Sequence, residues 1–139
     1  MILLDTDVLI YASEGASPYC PWARETIAEA VAGDGAVANA VCLAELCVGD
    51  AEPDSVAERL RSWGIVIADV PAAAAEVCAA AYRQFRERRA RESGKAAPAM
   101  PLPDFFIGAH AQVMDWELAT ADASRFRACF PGVRLKTPR

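Results

Sequence analysis

Four acidic residues stand where a strand or helix would aim them at one place. Asp5 directly follows the apolar run Ile2-Leu3-Leu4. Glu45 is the one charge in the stretch Ala40–Val48. Asp104 follows Pro103 and opens the apolar stretch Phe105-Phe-Ile-Gly-Ala-His-Ala, and Asp122 lies two residues beyond Thr120. Two carboxylates 4 Å apart repel by on the order of 4 kcal/mol at an effective dielectric near 20. Four such groups brought together require a cation. All-oxygen ligation favours Mg²⁺ or Mn²⁺ over zinc, and such ions bind phosphates and activate water.

Each acid also has an ordinary structural use. Asp5 can cap the segment that follows it, as can Thr6 or Asp7. Asp122 can cap a turn of helix. Asp104 in a first helical turn gains roughly 0.3–1 kcal/mol from the helix dipole. Glu45 is harder to place, because a helix apolar on every other side reads as buried. A buried glutamate needs an arginine, a proton or a metal.

The elements that would position these acids alternate between strand and helix. Ile2–Leu4 reads as a strand, followed by helices from about Thr6 to Ala12 and from about Pro18 to Ala32, the latter ended by Gly33 and Gly35. Ala36–Ala38 is a second strand and 40–48 a buried helix. A helix from about Ser55 to Trp63 places Val56, Leu60 and Trp63 on one face, and Ile65–Ile67 is the third strand. Pro71 opens a long helix to about Arg91. A loop spans Ser93–Pro103, and a helix runs from about Asp104 to Met114. A strand near Glu117–Thr120, a helical turn near Ser124–Cys129 and a strand near Val133–Lys136 complete the chain. This alternation predicts a parallel sheet covered on both faces. Such sheets bind ligands beyond the carboxyl ends of their strands, which is where Asp5 and Asp122 fall.

At 139 residues and 54% hydrophobic, the chain reads as one domain, residues 1–139. Its five cysteines are odd in number and lack C-x-x-C spacing, which fits a reducing cytoplasm. Cys42, Cys47 and Cys78 read as buried thiols. No run approaches a membrane span, and the start lacks the basic region of a signal peptide. The net charge of −5 does not advertise nucleic-acid binding. The distribution is uneven, however. Residues 83–95 hold six basic residues against Glu87 and Glu92, a local +4 that leaves −9 elsewhere. Arg86, Arg88, Arg89 and Lys95 in this stretch precede Asp104 and are candidates to guide a phosphate-bearing polyanion toward a metal. The same stretch equally suits a helix end, a dimer contact or an inhibitor contact. His110 is the lone histidine, and inside the helix after Asp104 it reads as a core or packing residue, which argues against a catalytic triad. Trp63, Trp116 and Phe126 read as packing residues, since no basic residues interleave them.

The segments Ile2-Leu-Leu-Asp-Thr-Asp-Val-Leu-Ile, Ala44-Glu-Leu, Pro103-Asp-Phe-Phe-Ile-Gly-Ala-His-Ala and Leu118-Ala-Thr-Ala-Asp-Ala-Ser-Arg-Phe occur in that order. Together they resemble the PIN domain family, and most of all its VapC-type toxins. The resemblance implies a three-layer α/β/α fold with a central parallel sheet. It implies a Mg²⁺- or Mn²⁺-dependent endoribonuclease whose acidic positions fall on Asp5, Glu45, Asp104 and Asp122, with Thr120 supporting the site. It further implies a homodimer, an RNA substrate yielding 3′-hydroxyl and 5′-phosphate ends, and an antitoxin partner. Asp7 departs from the family's usual Asn or Ser, and it either adds a fifth acid or caps the first helix.

Two other readings arise from the same residues. Asp5-Thr-Asp7 after a strand resembles the first motif of haloacid-dehalogenase-like phosphatases. That family needs a motif lysine and a late acidic pair. Lys95 and Lys136 are the only lysines, and no such pair appears. A catalytically inactive binding domain is the other reading, against which the four intact acids argue.

Overall fold

The computed structural model describes residues 1–93 and 102–139. Short runs rich in apolar and small residues form the strands, and the first two lead directly into helices through a capping residue. Strand β1 (Ile2–Leu4) leads into α1 (Thr6–Ser13), which Asp5 caps by accepting a hydrogen bond from the Thr6 amide at 2.8 Å. Helix α2 (Cys20–Ala32) carries Pro21 in its first turn, where its missing N–H costs nothing. Strand β2 (Ala36–Asn39) ends in Asn39, which caps α3 (Ala40–Val48) by accepting from the Cys42 amide at 2.9 Å. A 3-10 turn over Pro53–Ser55 precedes α4 (Val56–Ser62) and β3 (Val66–Ala68). Then come α5 (Ala73–Ser93), α6 (Leu102–Met114), β4 (Glu117–Ala119), α7 (Ala123–Cys129) and β5 (Leu135–Lys136).

All five strands pair in parallel, in the order β3-β2-β1-β4-β5. From β1 the chain steps outward through β2 to β3, then crosses to β4 and steps the other way to β5. Right-handed crossovers therefore put α1–α4 on one face and α5–α7 on the other. The result is the three-layer α/β/α sandwich that the alternation predicted. The direction of travel reverses between β1 and β4, and a crevice opens there at the strands' carboxyl ends.

The core fills the space between sheet and helices with Leu3, Leu4, Val8, Val37, Ile65, Phe105, Ile107, Leu118, Phe126 and Phe130, all essentially inaccessible. Phe105 is packed edge-on by Tyr82, Phe85 and Phe130, which ties α5, α6 and the end of α7 together. Gly108 makes this possible. A Cβ there would lie 2.3 Å from the Phe130 ring, so only glycine lets α6 and that ring approach so closely. His110 is a core residue as read, buried against Trp116 and bonded through Nδ1 to the Asn39 amide nitrogen at 3.1 Å.

Three expectations need correction. Helix α3 is only partly buried: Cys42 is enclosed, Val41, Leu43, Leu46 and Cys47 pack half-covered against the core, and Val48 is 89% exposed. One side of a surface helix meets the core, so an apolar pattern on every side does not enclose it. Helix α6 starts earlier than Asp104, at Leu102, because a proline is tolerated in a first helical turn. Cys47 is only half-buried, whereas Cys42 and Cys78 are enclosed as expected.

Candidate functional site

The crevice between β1 and β4 is lined by Asp5, Thr6, Asp7, Ile10, Tyr11, Glu45, Asp104, Asp122, Arg125 and Phe126, and holds about 360 Å³. The four acids singled out in the sequence, together with Asp7, thus converge from four parts of the chain. Asp5 is drawn in by the β1–β4 pairing, which its own amide extends by donating to Ala119 O at 2.9 Å. Thr120, wholly buried, donates its hydroxyl to Asp5 Oδ2 at 2.8 Å across 115 residues. The same hydroxyl oxygen accepts from the Asp122 amide at 3.1 Å. One threonine therefore sets the spacing between Asp5 and the loop that carries Asp122.

Asp5, not Asp7, caps α1. Asp7 Oδ2 reaches across to accept from the Ala121 amide at 3.1 Å. Its Oδ1 is buried without a hydrogen-bond partner. Such an orphaned acceptor needs explaining, and a cation in the crevice would explain it.

Glu45 comes in from α3 and is exposed rather than buried. Its Oε1 accepts from the Thr6 hydroxyl at 2.8 Å. No arginine neutralises it among the described contacts. Asp104, in the first turn of α6, and Asp122, ahead of α7, share one arginine. Arg125 Nη1 lies 2.5 Å from Asp104 Oδ2, and Nε lies 2.7 Å from Asp122 Oδ2. Asp122 precedes α7 as expected of a cap, but its side chain makes no capping bond there.

The electrostatics follow from crowding in a poorly hydrated place. Burial, then the charges of Asp7 and Asp104, push the Asp5 carboxyl up to about 7, against the opposing bonds from Thr120 and Thr6. Burial and the neighbouring Asp122 raise Asp7. Burial raises Asp104 in spite of Arg125. The cleft walls carry five carboxyl groups and one cationic side chain. Cys42 beneath them has its thiol pushed up to about 12 by burial, so it supplies no nucleophilic thiolate.

This donor set fits a hard divalent cation: all oxygen, strongly acidic, with an orphaned buried carboxylate oxygen at Asp7. As arranged, no three His, Cys, Asp or Glu side chains among the described residues stand close enough to grip an ion. Arg125 draws Asp104 and Asp122 to itself. Sequence reasoning missed Arg125. The signal available was its i,i+3 spacing from Asp122, a separation that puts two side chains on one helical face. Arg86, Arg88 and Arg89 lie on α5 outside the cleft walls, and two of them rest on rings: Arg86 on Tyr82 at 5.8 Å and Arg89 on Phe85 at 5.7 Å. Lys95 and most of the loop placed at Ser93–Pro103 lie outside the described residues.

Comparison with known proteins matches residues 2–130 to the PIN domain family model. Curated proteins yield no sequence match. Among solved structures, the chain is similar to VapBC2 from Rickettsia felis bound to a DNA fragment from its promoter, with TM-score 0.67, 19% identity and full coverage of both chains. It is similar to a toxin–antitoxin complex from Klebsiella pneumoniae, with TM-score 0.64 and 24% identity over 100% of this chain and 98% of that one. It is also similar to VapC20 from Mycobacterium tuberculosis, a toxin that cleaves the sarcin–ricin loop, with TM-score 0.66 and 15% identity over 99% of this chain and 100% of that one. At these identities the likeness is one of fold.

Proposed function

The chain belongs to the PIN domain family, and from that premise we propose that it is a divalent-metal-dependent endoribonuclease, the toxin of a toxin–antitoxin pair. The observation that carries the reading is the convergence of Asp5, Glu45, Asp104 and Asp122 on one crevice at the sheet's switch point, with Asp5 pushed up to about 7. A protein keeps such mutually repelling groups together at a cost to stability, which is expected where they serve chemistry.

Asp5, Asp104 and Asp122 would hold Mg²⁺ or Mn²⁺, with the orphaned Asp7 oxygen and Glu45 beside them. When bound, such an ion neutralises phosphate charge and makes water a better nucleophile. The chain's own residues do the rest. Thr120 fixes Asp5 in one rotamer and keeps the Asp122 backbone beside it. Thr6 holds the Asp5 and Glu45 carboxylates in mutual register, through its amide and its hydroxyl respectively. Glu45, accessible and held by a single bond, is placed to orient an attacking water and take its proton. Tyr11 and Ile10 wall one side of the crevice.

RNA is the proposed substrate, and an antitoxin and a second copy of the chain are the proposed partners. The toxin–antitoxin identity of the structural relatives supports the antitoxin. Val48, 89% exposed at the end of α3, is accessible to a partner. The arginines of α5 are proposed to attract the polyanion from outside the cleft, along the helix that packs on α6. No helix among the described residues is long and apolar enough to cross a membrane, and a cytoplasmic location is proposed. The phosphatase reading lacks the lysine it needs, since none among the described residues lines the cleft. Lys136 pairs with Glu29, outside the cleft.

Purified protein incubated with total bacterial RNA tests the proposal. Cleavage should require Mg²⁺ or Mn²⁺, stop with EDTA and be lost in Asp104→Asn. Intact RNA under every metal condition would defeat it.

A further inference from the structure

Arg125 has a geometry that the proposed chemistry does not use. Its guanidinium is a two-armed bridge, with Nη1 on Asp104 of α6 and Nε on Asp122 at the head of α7. These are two of the carboxylates proposed to hold the metal. The bridge is partly open to solvent, with the Arg125 side chain 44% exposed and Asp104 14% exposed. Part-exposed ion pairs are weak and exchange readily. Both contacted oxygens lie on the crevice wall, where an ion would also seek them.

Resting on the metal-site reading above, we infer that Arg125 is an internal counter-ion that competes with the divalent cation. Loading the site is then an exchange: the guanidinium leaves Asp104 and Asp122, and the metal takes their oxygens. The chemistry supports the exchange in both directions. A guanidinium satisfies carboxylates by planar, directional hydrogen bonds and contributes a single charge. A divalent ion contributes two charges and also serves Asp5, with which the guanidinium makes no direct ion pair. Without metal, Arg125 keeps Asp104 and Asp122 from repelling each other and holds the heads of α6 and α7 together. The cost is a lower apparent metal affinity, so occupancy becomes a function of the free cation concentration.

The test counts metal, not cleavage. EDTA-stripped full-length protein is titrated with MnCl₂, and free Mn²⁺ is read from its solution EPR signal. Arg125→Ala should bind Mn²⁺ about tenfold more tightly than wild type, the order of magnitude that two part-exposed ion pairs span. Arg125→Lys keeps the charge but loses the fork, so its affinity should also rise. Arg127→Ala removes the same charge from the same helix outside the crevice, and its affinity should stay at the wild-type value. Circular dichroism confirms that each variant is folded, and the lysine variant carries the test if the alanine variant is not. Unchanged or weaker binding in Arg125→Ala overturns the exchange. So does an Arg125→Lys affinity equal to wild type, which would make long-range charge the cause. If wild type and Asp5→Asn alike fail to bind Mn²⁺, the metal site itself is wrong and the exchange falls with it. Wild-type binding that Asp5→Asn abolishes, with no gain at Arg125, removes the exchange alone.

Discussion

Replacing Asp5 by asparagine should stabilise the metal-free protein at alkaline pH. Asp5 is buried, and its carboxyl is pushed from the ordinary 3.8 to about 7 by burial and by Asp7 and Asp104. An acid whose pKa is raised on folding contributes most below its unfolded value. That contribution is lost as pH rises from about 4 through about 7. Keeping this group ionised at pH 8 costs about 4 kcal/mol, at ~1.36 kcal/mol per pH unit. Asparagine removes the charge. Its single carbonyl oxygen cannot keep both the Thr6 and Thr120 bonds in full, which returns about 1 kcal/mol or more. The expected net gain is about 2–3 kcal/mol at pH 8 and none at pH 4.5, where wild-type Asp5 is itself largely neutral. Urea denaturation in EDTA at the two pH values measures it. In saturating Mg²⁺ the order should reverse, since wild type alone gains from binding. An Asp5→Asn variant no more stable than wild type at pH 8 in EDTA, or equally stabilised at both pH values, would refute the electrostatic reasoning.

Other perturbations separate positioning from stability. Thr120→Val removes the donor to Asp5 and the acceptor for the Asp122 amide in a wholly buried place. It should lower stability by about 1–3 kcal/mol and weaken Mn²⁺ binding, both read by thermal shift with and without metal. Glu45→Gln touches an exposed side chain with one bond to Thr6, so unfolding should shift by under ~0.5 kcal/mol while RNA cleavage falls at least tenfold. Gly108→Ala would drive a methyl group into Phe130, costing about 1–3 kcal/mol by denaturant melt. His110 is held below its ordinary pKa by burial. Neutral His110 therefore supports the fold above about pH 6.5, and that support is lost as pH falls. His110→Gln should flatten this part of the stability profile, measured between pH 7 and pH 5.

Much of this site was legible because strand and helix periodicity fixes which residues end a strand. Asp5 after Ile2–Leu4 and Asp122 beyond β4 fall on one edge of a parallel sheet by the strand pattern alone. Asp104 was legible for a different reason: it breaks the polarity of an apolar helix at its start. Glu45 was singled out for burial, yet α3 leaves it exposed. It reaches the crevice because Asn39 starts its helix at the end of β2 and Thr6 meets its carboxylate. The crowding that matters is centred on Asp5 instead. Arg125 shows what a linear reading cannot supply. Its bond to Asp122 is local, but its bond to Asp104 spans 21 residues and exists only once α6 and α7 pack. The second oxygen of Asp7 is likewise a tertiary fact, set by the Ala121 amide across the β1–β4 crevice.

The most direct test is a map of RNA ends in living cells. The chain and its Asp5→Asn variant are expressed in a bacterium, and newly formed 5′-phosphate ends in total RNA are sequenced. Discrete new ends that appear with the wild-type chain and vanish with the variant are the predicted result. Identical end maps from the two chains would contradict an acid cluster that cuts RNA.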